Sequence, residues 1–158
     1  MSRHSVLTFL VSLGLASCAG ARCPDGFLTH GEKCYHFSHD TETYSGARAI
    51  CSEDLGNGYL VEIDSMEENN FLAGEAKRLN QYYRIGLNDL AEEGQWVWSH
   101  SLRHAEFTKW TPGEPDNWTN DENCAQLRPD GDWNDIPCSQ LKNYICETDA
   151  SQEPRPVG

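Results

Sequence analysis

Seven cysteines stand in this chain of 158 residues, and the position of the first decides what the other six can do. Cys18 lies just past an apolar run, Val6 to Ala16, that follows Arg3 and His4 and leads into Ala19-Gly20-Ala21. A positive start, an apolar middle and small residues at a cleavage point make up a secretory signal peptide, so residues 1–21 are predicted to leave the mature chain. The run is too short to span a bilayer and no later stretch is apolar enough, so no membrane insertion is expected. Two rival readings are a buried N-terminal helix and, for Leu15-Ala16-Ser17-Cys18, lipid attachment at Cys18 in a bacterial export system. With the signal gone, Cys23, Cys34, Cys51, Cys124, Cys138 and Cys146 remain. In a secreted, extracellular chain an even set reads as three disulfides. No Cys-x-x-Cys pair occurs, which argues against thiolate zinc. Six cysteines allow fifteen pairings, and spacing does not choose among them.

The remaining length suits one domain, predicted over 22–148, with a polar, proline-containing tail at 149–158 that reads as disordered. Without Arg3, eleven basic residues face 25 acidic ones, a net charge of −14. Such a surface repels phosphate backbones and excludes nucleic acid as a partner. It suits cations or a mineral surface, and it also serves plain solubility.

Hydropathy patterning places the elements. Residues 23–37 alternate aromatic and polar around Gly31-Glu32-Lys33, as a small hairpin does. Tyr44, Ala47, Cys51 and Leu55 recur at helical spacing, and Gly56-Asn57-Gly58 ends the run. A strand is predicted at Tyr59 to Ile63. Ser65 with Glu68 forms a capping box that opens a helix towards Leu79, with Phe71, Leu72, Ala76 and Leu79 as its buried stripe. Tyr82 to Leu87 and Gln95 to Trp98 read as strands around an acidic turn. Periodicity then vanishes for more than twenty residues after Ser99, a length that in compact domains is usually functional. Strands return near Cys124 to Leu127, Trp133 and Tyr144 to Glu147.

The aperiodic stretch gathers oxygen-bearing side chains. Calcium takes six to eight oxygens at about 2.3–2.6 Å from carboxylates, amides, backbone carbonyls and water. Glu114-Pro115-Asp116-Asn117 sets acids on both sides of a proline, and a cis bond there would turn both towards one ion. Glu122 follows, and Asn134 and Asp135 sit beside Trp133 between Cys124 and Cys138. Any one of these acids is readily explained as a solvated loop residue. The set is less so, because Asn117, Asn123 and Asn134 stand among the acids. The helix-loop-helix calcium spacing is absent. The chemistry of the residues alone therefore reaches a divalent-ion site in a disulfide-braced loop.

Glu114-Pro115-Asp116, Glu122-Asn123-Cys124, Trp133-Asn134-Asp135 and the ending Tyr144-Ile145-Cys146-Glu147 resemble a C-type lectin carbohydrate-recognition domain. Ile85-Gly86-Leu87 and Glu93-Gly94-Gln95-Trp96 are similar to the central segment of that family, and the resemblance covers Cys23 to Glu147. It implies an α+β fold of two helices flanking small antiparallel sheets, with a long calcium-binding loop. It implies the disulfides Cys23–Cys34, Cys51–Cys146 and Cys124–Cys138. It also implies a principal Ca2+ held by Glu114, Asp116, Glu122, Asn134 and Asp135, the Asp135 carbonyl adding a ligand and two vicinal sugar hydroxyls completing the shell. An auxiliary calcium site would use Asp89, Glu93, Asn117 and Asn123; two of these are neutral amides, so that site is expected to be weak or empty.

The sequence departs from the family pattern elsewhere. Arg84 stands where tryptophan is usual before Ile-Gly-Leu, a change that bears on the core. Glu-Pro-Asp is neither the mannose-type Glu-Pro-Asn nor the galactose-type Gln-Pro-Asp of the family, and its two carboxylates accept hydrogen bonds but donate none. Trp118, two residues after Asp116, offers a ring on which the apolar face of galactose packs. The carbohydrate-binding set is thus Glu114, Asp116, Trp118, Glu122 and Asn134, leaning to galactose or N-acetylgalactosamine; packing is the plainer role for Trp118. Asn117-Trp118-Thr119 is the only N-glycosylation sequon, and a glycan there would stop Asn117 from ligating a metal.

The expected function is a secreted, non-catalytic lectin whose partners are glycans, free or on cell or microbial surfaces; immune recognition, feeding, adhesion and biomineral assembly all use such a domain. Weak single sites would call for a homo-oligomer or clustered presentation. Alternatives are a mannose or N-acetylglucosamine lectin, or the same fold bound to a protein partner or calcium carbonate. A glycosidase pair of Glu114 and Glu122 is disfavoured, because carboxylates gathered round a metal are held ionised.

Overall fold

The computed structural model describes residues 22–55 and 58–150. The signal peptide predicted at 1–21, Cys18 and most of the tail lie outside the described residues.

Two strands, β1 (Leu28–His30) and β2 (Lys33–Phe37), form the N-terminal hairpin in antiparallel register, His30 opposite Lys33. Thr43 caps α1 (Tyr44–Ala49), its hydroxyl accepting from the Gly46 N–H, and the chain continues as a π-type turn over Ile50–Asp54. The helical spacing was legible here: Tyr44, Ala47 and Cys51 are the residues this segment buries. Strand β3 covers only Tyr59–Leu60, shorter than predicted: the Val61 N–H still donates to the Ile145 carbonyl, but the Val61 carbonyl turns away to accept from Gly86. Ser65 caps α2 (Met66–Leu79) by accepting from the Glu68 N–H. The Glu68 carboxylate reaches back to the Asp64 N–H instead of the cap residue.

The remaining strands are β4 (Tyr83–Asn88), β5 (Val97–Trp98), β6 (Cys124–Leu127), β7 (Trp133–Ile136) and β8 (Asn143–Asp149). They run in the order β1-β2-β8-β4-β6-β7, with β3 on β8 and β5 on β4. β4 and β8 are parallel, Tyr83 opposite Asn143, so the sheets form one mixed path where small antiparallel sheets were expected. Ordered chain also extends past the boundary predicted at 148: Asp149 pairs with Lys33, and Ala150 is buried and donates to the Glu32 carbonyl.

Three disulfides join Cys23 to Cys34, Cys51 to Cys146 and Cys124 to Cys138. The first pins the N-terminal hairpin, the second ties the turn after α1 to β8, and the third closes the β6–β7 hairpin. The main core packs Leu72 and Ala76 of α2 against Tyr35, Ile85, Leu87, Trp98 and Trp133. A second cluster surrounds two of the disulfides with Tyr44, Ala47, Leu60, Ile136 and Tyr144.

Charge is also buried. Lys33 Nζ lies 3.1 Å from Glu68 and 2.7 Å from Glu147, whose side chain is wholly inaccessible. Tyr35 and Tyr59 donate to the same two carboxylates. Burial raises the Glu147 carboxyl and Lys33 opposes that rise. Arg84 is fully buried, with its Nη2 donating to the Gln140 carbonyl at 2.5 Å and its guanidinium 5.9 Å from the Tyr44 ring centre. Burial pushes it down to about 10.

Candidate functional site

The aperiodic stretch is held from beneath by aromatic rings. Trp110 meets Trp96 edge-on at 4.7 Å, and both Trp110 and Phe107 pack edge-on against the buried Trp133. Backbone bonds reinforce this, Trp133 donating to the Lys109 carbonyl and Thr111 to that of Trp133. Trp133 begins the strand that carries Asn134 and Asp135, so one side chain fixes the loop and that strand against each other. Its own indole N–H donates to Asn69 of α2 at 2.7 Å, and the Asn69 amide donates to the Gly131 carbonyl at 2.8 Å.

On that base the chain turns at Thr111–Glu114 and passes through a cis Glu114–Pro115 bond. Glu114, Asp116 and Asp135 then each bring a carboxylate oxygen within 4.8 Å of the others. Asp135 is fully buried and accepts from the backbone N–H groups of Asp116 (3.3 Å) and Asn117 (2.8 Å). Glu114 keeps one carboxylate oxygen buried with no donor among the described residues. Its carboxyl is raised to about 7 by burial, by a hydrogen bond with Asp135 and by the neighbouring charges. Glu122 is raised as well, by burial first and then by Asp135, so its carboxylate sits in the same field. Its Oε2 accepts from the Trp118 N–H at 3.0 Å. The Asn134 amide donates to the Asp135 carbonyl at 2.6 Å.

Of the auxiliary set, Asp89 is buried, accepts from the Gly94 N–H at 2.8 Å and leaves its other oxygen without a donor. Burial raises its carboxyl, a backbone bond from Gly94 opposes this, and the charges of Glu93 and Asp135 add to the rise. Glu93 receives the Asn117 amide at 2.7 Å, and the Asn117 carbonyl oxygen accepts from the Glu122 N–H at 3.0 Å. Asn117 therefore stands as a bridge between the two groups of acids. Asn123 contributes its backbone carbonyl to the Asp89 N–H. Sequence reasoning missed this bridge and the tie through Asn69, since both depend on where backbone groups point.

The short turn Trp118–Asn120 follows, with Asn117, Thr119 and Asn120 all at positive φ. Asparagine tolerates that region, whereas a β-branched threonine at φ 64° is strained. The turn leaves Trp118 69% exposed, while its N–H is taken by Asp116 and Glu122. A packing role for Trp118 does not fit that exposure.

Hard oxygen donors crowded together, one of them with a buried oxygen that has no donor among the described residues, make a set that fits a divalent cation. The like charges that raise Glu114 would be offset by a positive ion among them.

A family model described as the lectin C-type domain matches residues 40–148. The chain is 39% identical over 138 residues to human C-type lectin domain family 17 member A, covering 87% of this chain and 35% of that one. It is 38% identical over 165 residues to the alpha-N-acetylgalactosamine-specific lectin of Patiria pectinifera, covering 93% and 97%. Several curated relatives are much longer, and the chain spans about two fifths of their length. Among solved structures, the mouse scavenger receptor C-type lectin carbohydrate-recognition domain aligns with a TM-score of 0.75 at 31% identity, over 82% of this chain and all of that one. A calcium-independent type II antifreeze protein aligns with a TM-score of 0.74 at 25% identity, over 85% and 100%. Shared fold alone thus carries no argument for calcium. The ligand set must carry it.

Proposed function

The chain belongs to the C-type lectin family, and from that premise we propose that it is a secreted, non-catalytic lectin that binds galactose or N-acetylgalactosamine glycans through calcium. The observation that supports this most is the meeting of Glu114, Asp116 and Asp135 within 4.8 Å. Glu114, Asp116, Glu122, Asn134 and Asp135 would hold the ion, with Glu93, Asn117 and Asp89 bracing them from the side. Calcium would supply open coordination positions for two vicinal hydroxyls of one sugar ring. The chain's own carboxylates would accept hydrogen bonds from those hydroxyls, and the backbone N–H groups of Asp116 and Asn117 keep Asp135 oriented for the task.

Trp118 supports the galactose side of this reading. Its ring stands free in solvent while its backbone is clasped by two of the acids, which favours stacking on an apolar sugar face. The relative from Patiria pectinifera, similar along nearly its whole length, is named for N-acetylgalactosamine and favours the same side. Secretion is supported by three disulfides, which persist in oxidising compartments. No described helix is long and apolar enough to cross a membrane.

A glycan array run in calcium and again in chelator tests the proposal. Binding of galactose or N-acetylgalactosamine glycans in calcium alone is the expected result. Mannose or N-acetylglucosamine binding would overturn the specificity, and binding to nothing in either condition would favour a protein or mineral partner. Hydrolysis of any glycan by purified protein would contradict the non-catalytic reading.

A further inference from the structure

A cleft runs along α1, remote in sequence from the acidic loop, and its lining is unlike the rest of the surface. One hollow of about 300 Å³ is walled by Ser45, Arg48, Ser52, Tyr59, Ser99 and His100. A second of about 360 Å³ shares Arg48 and Ser99 and adds Tyr44, Asn88, Leu90 and Leu102. A third of about 370 Å³ continues from Tyr44, Ser45 and Leu90 to Ser139. No carboxylate lines any of the three, although 25 of the 158 residues are acidic. Arg48 is the one permanently charged side chain among the described residues of the lining.

The guanidinium of Arg48 is available. It lies 5.8 Å from the Tyr44 ring centre and enters no ion pair or hydrogen bond among the described residues. In the lining of the same hollow, the rings of Tyr59 and His100 stack at 4.0 Å and 4°. The buried Glu62 is committed elsewhere: its Oε1 accepts from the backbone N–H groups of His100 and Ser101, both at 2.9 Å, which fixes the turn carrying that ring. Leu90 and Leu102 are 56% and 75% exposed at the neighbouring hollow.

We infer that this cleft is a second saccharide subsite, independent of calcium, which takes a sugar residue carrying a sulfate or carboxylate group. A guanidinium with hydroxyls around it matches an oxyanion, through charge-assisted bonds stronger than those to a neutral sugar. A volume at the low end of ligand cavities, which run from about 300 to 1,000 Å³, suits a single ring. The adjoining hollows with their leucines give the apolar face of a neighbouring ring somewhere to pack, which a free inorganic anion would not need. None of these residues is a proposed calcium ligand, so the subsite stands or falls apart from the calcium reading.

The test is a backbone amide NMR titration of the whole protein in chelator, with galactose 6-sulfate, galacturonic acid and neutral galactose as probes. Shifts at Ser45, Arg48, Ser52 and His100 with an acidic probe, and none with galactose, are expected. A response to the sulfate ester alone or to the uronic acid alone narrows the class to that group. Arg48→Ala is expected to weaken binding roughly tenfold, and Ser52→Glu to do the same by placing a carboxylate in the cleft. The melting temperature and amide spectrum of Arg48→Ala serve as the check on folding and should match those of the unaltered protein. Absence of shifts with both acidic probes, or undiminished binding by both variants, would overturn the inference.

Discussion

Burial, a hydrogen bond with Asp135 and the charges of Asp116 and Asp135 raise the Glu114 carboxyl to about 7 in the cation-free protein. A raised carboxyl means the folded state holds its proton more tightly than the unfolded chain does. Between the ordinary glutamate value and about 7, the fold therefore loses stability as pH rises. A divalent ion reverses the sign, because it binds the ionised form and must displace the proton. Glu114→Gln should then raise the melting temperature at pH 8 in chelator and abolish the gain that calcium gives the unaltered protein. Equal melting behaviour of the two proteins in both conditions would contradict this. By the same competition, calcium affinity should fall steadily from pH 8 to pH 5, which calorimetry at several pH values would follow. Asn117 offers a second test, since its amide ties Glu93 to the Glu122 backbone. Asn117→Ala should weaken calcium binding by about 10- to 100-fold, as loss of a ligand-orienting partner does. Thr119→Ala, which removes the glycosylation sequon but keeps that amide, should leave the affinity alone.

The elements divide into those that carry the site and those that only secure the fold. Helix α2 belongs to the first group through Asn69, which satisfies the Trp133 indole and the Gly131 carbonyl at once. Asn69→Ala would strand two buried polar groups, a loss of about 2–3 kcal/mol in urea unfolding. It should also weaken calcium binding, because Asn134 and Asp135 follow Trp133 in β7. Removing Cys23–Cys34 should lower stability by about 3 kcal/mol and leave calcium affinity unchanged, since that bridge only pins the N-terminal hairpin. How much the sequence disclosed follows the same division. Helix α2 was readable because Ser65, Glu68, Leu72 and Ala76 report on neighbours three or four residues away. The parallel pairing of β4 with β8 was not, because nothing local in Tyr83 or Asn143 specifies a partner sixty residues off. Three of the acids named from the motif, Glu114, Asp116 and Asp135, do converge, whereas Glu122 stands outside that group. Hidden from the sequence were the Asn117 bridge, which depends on a left-handed backbone at Asn117, and the Asn134 bond to the Asp135 carbonyl within β7. Arg84 was placed in the core correctly, yet its carbonyl partner at Gln140 lies in a loop that no periodicity marks.

As a whole, the molecule is an acidic, cross-linked scaffold that presents the exposed Trp118 ring beside a nest of carboxylates. A shallow site makes few contacts, so a single galactose should bind with a dissociation constant on the order of millimolar. A densely galactosylated carrier should then bind a clustered form of the protein roughly 100- to 10,000-fold more tightly, by avidity alone. Surface plasmon resonance against carriers of graded density would measure that gain. All of this presupposes that the oxygen cluster grips a metal. Isothermal titration of calcium into the unaltered protein and into Asp135→Asn at pH 8 addresses it directly. A saturable heat in the first that vanishes in the second is the predicted outcome; no heat in either would contradict the account.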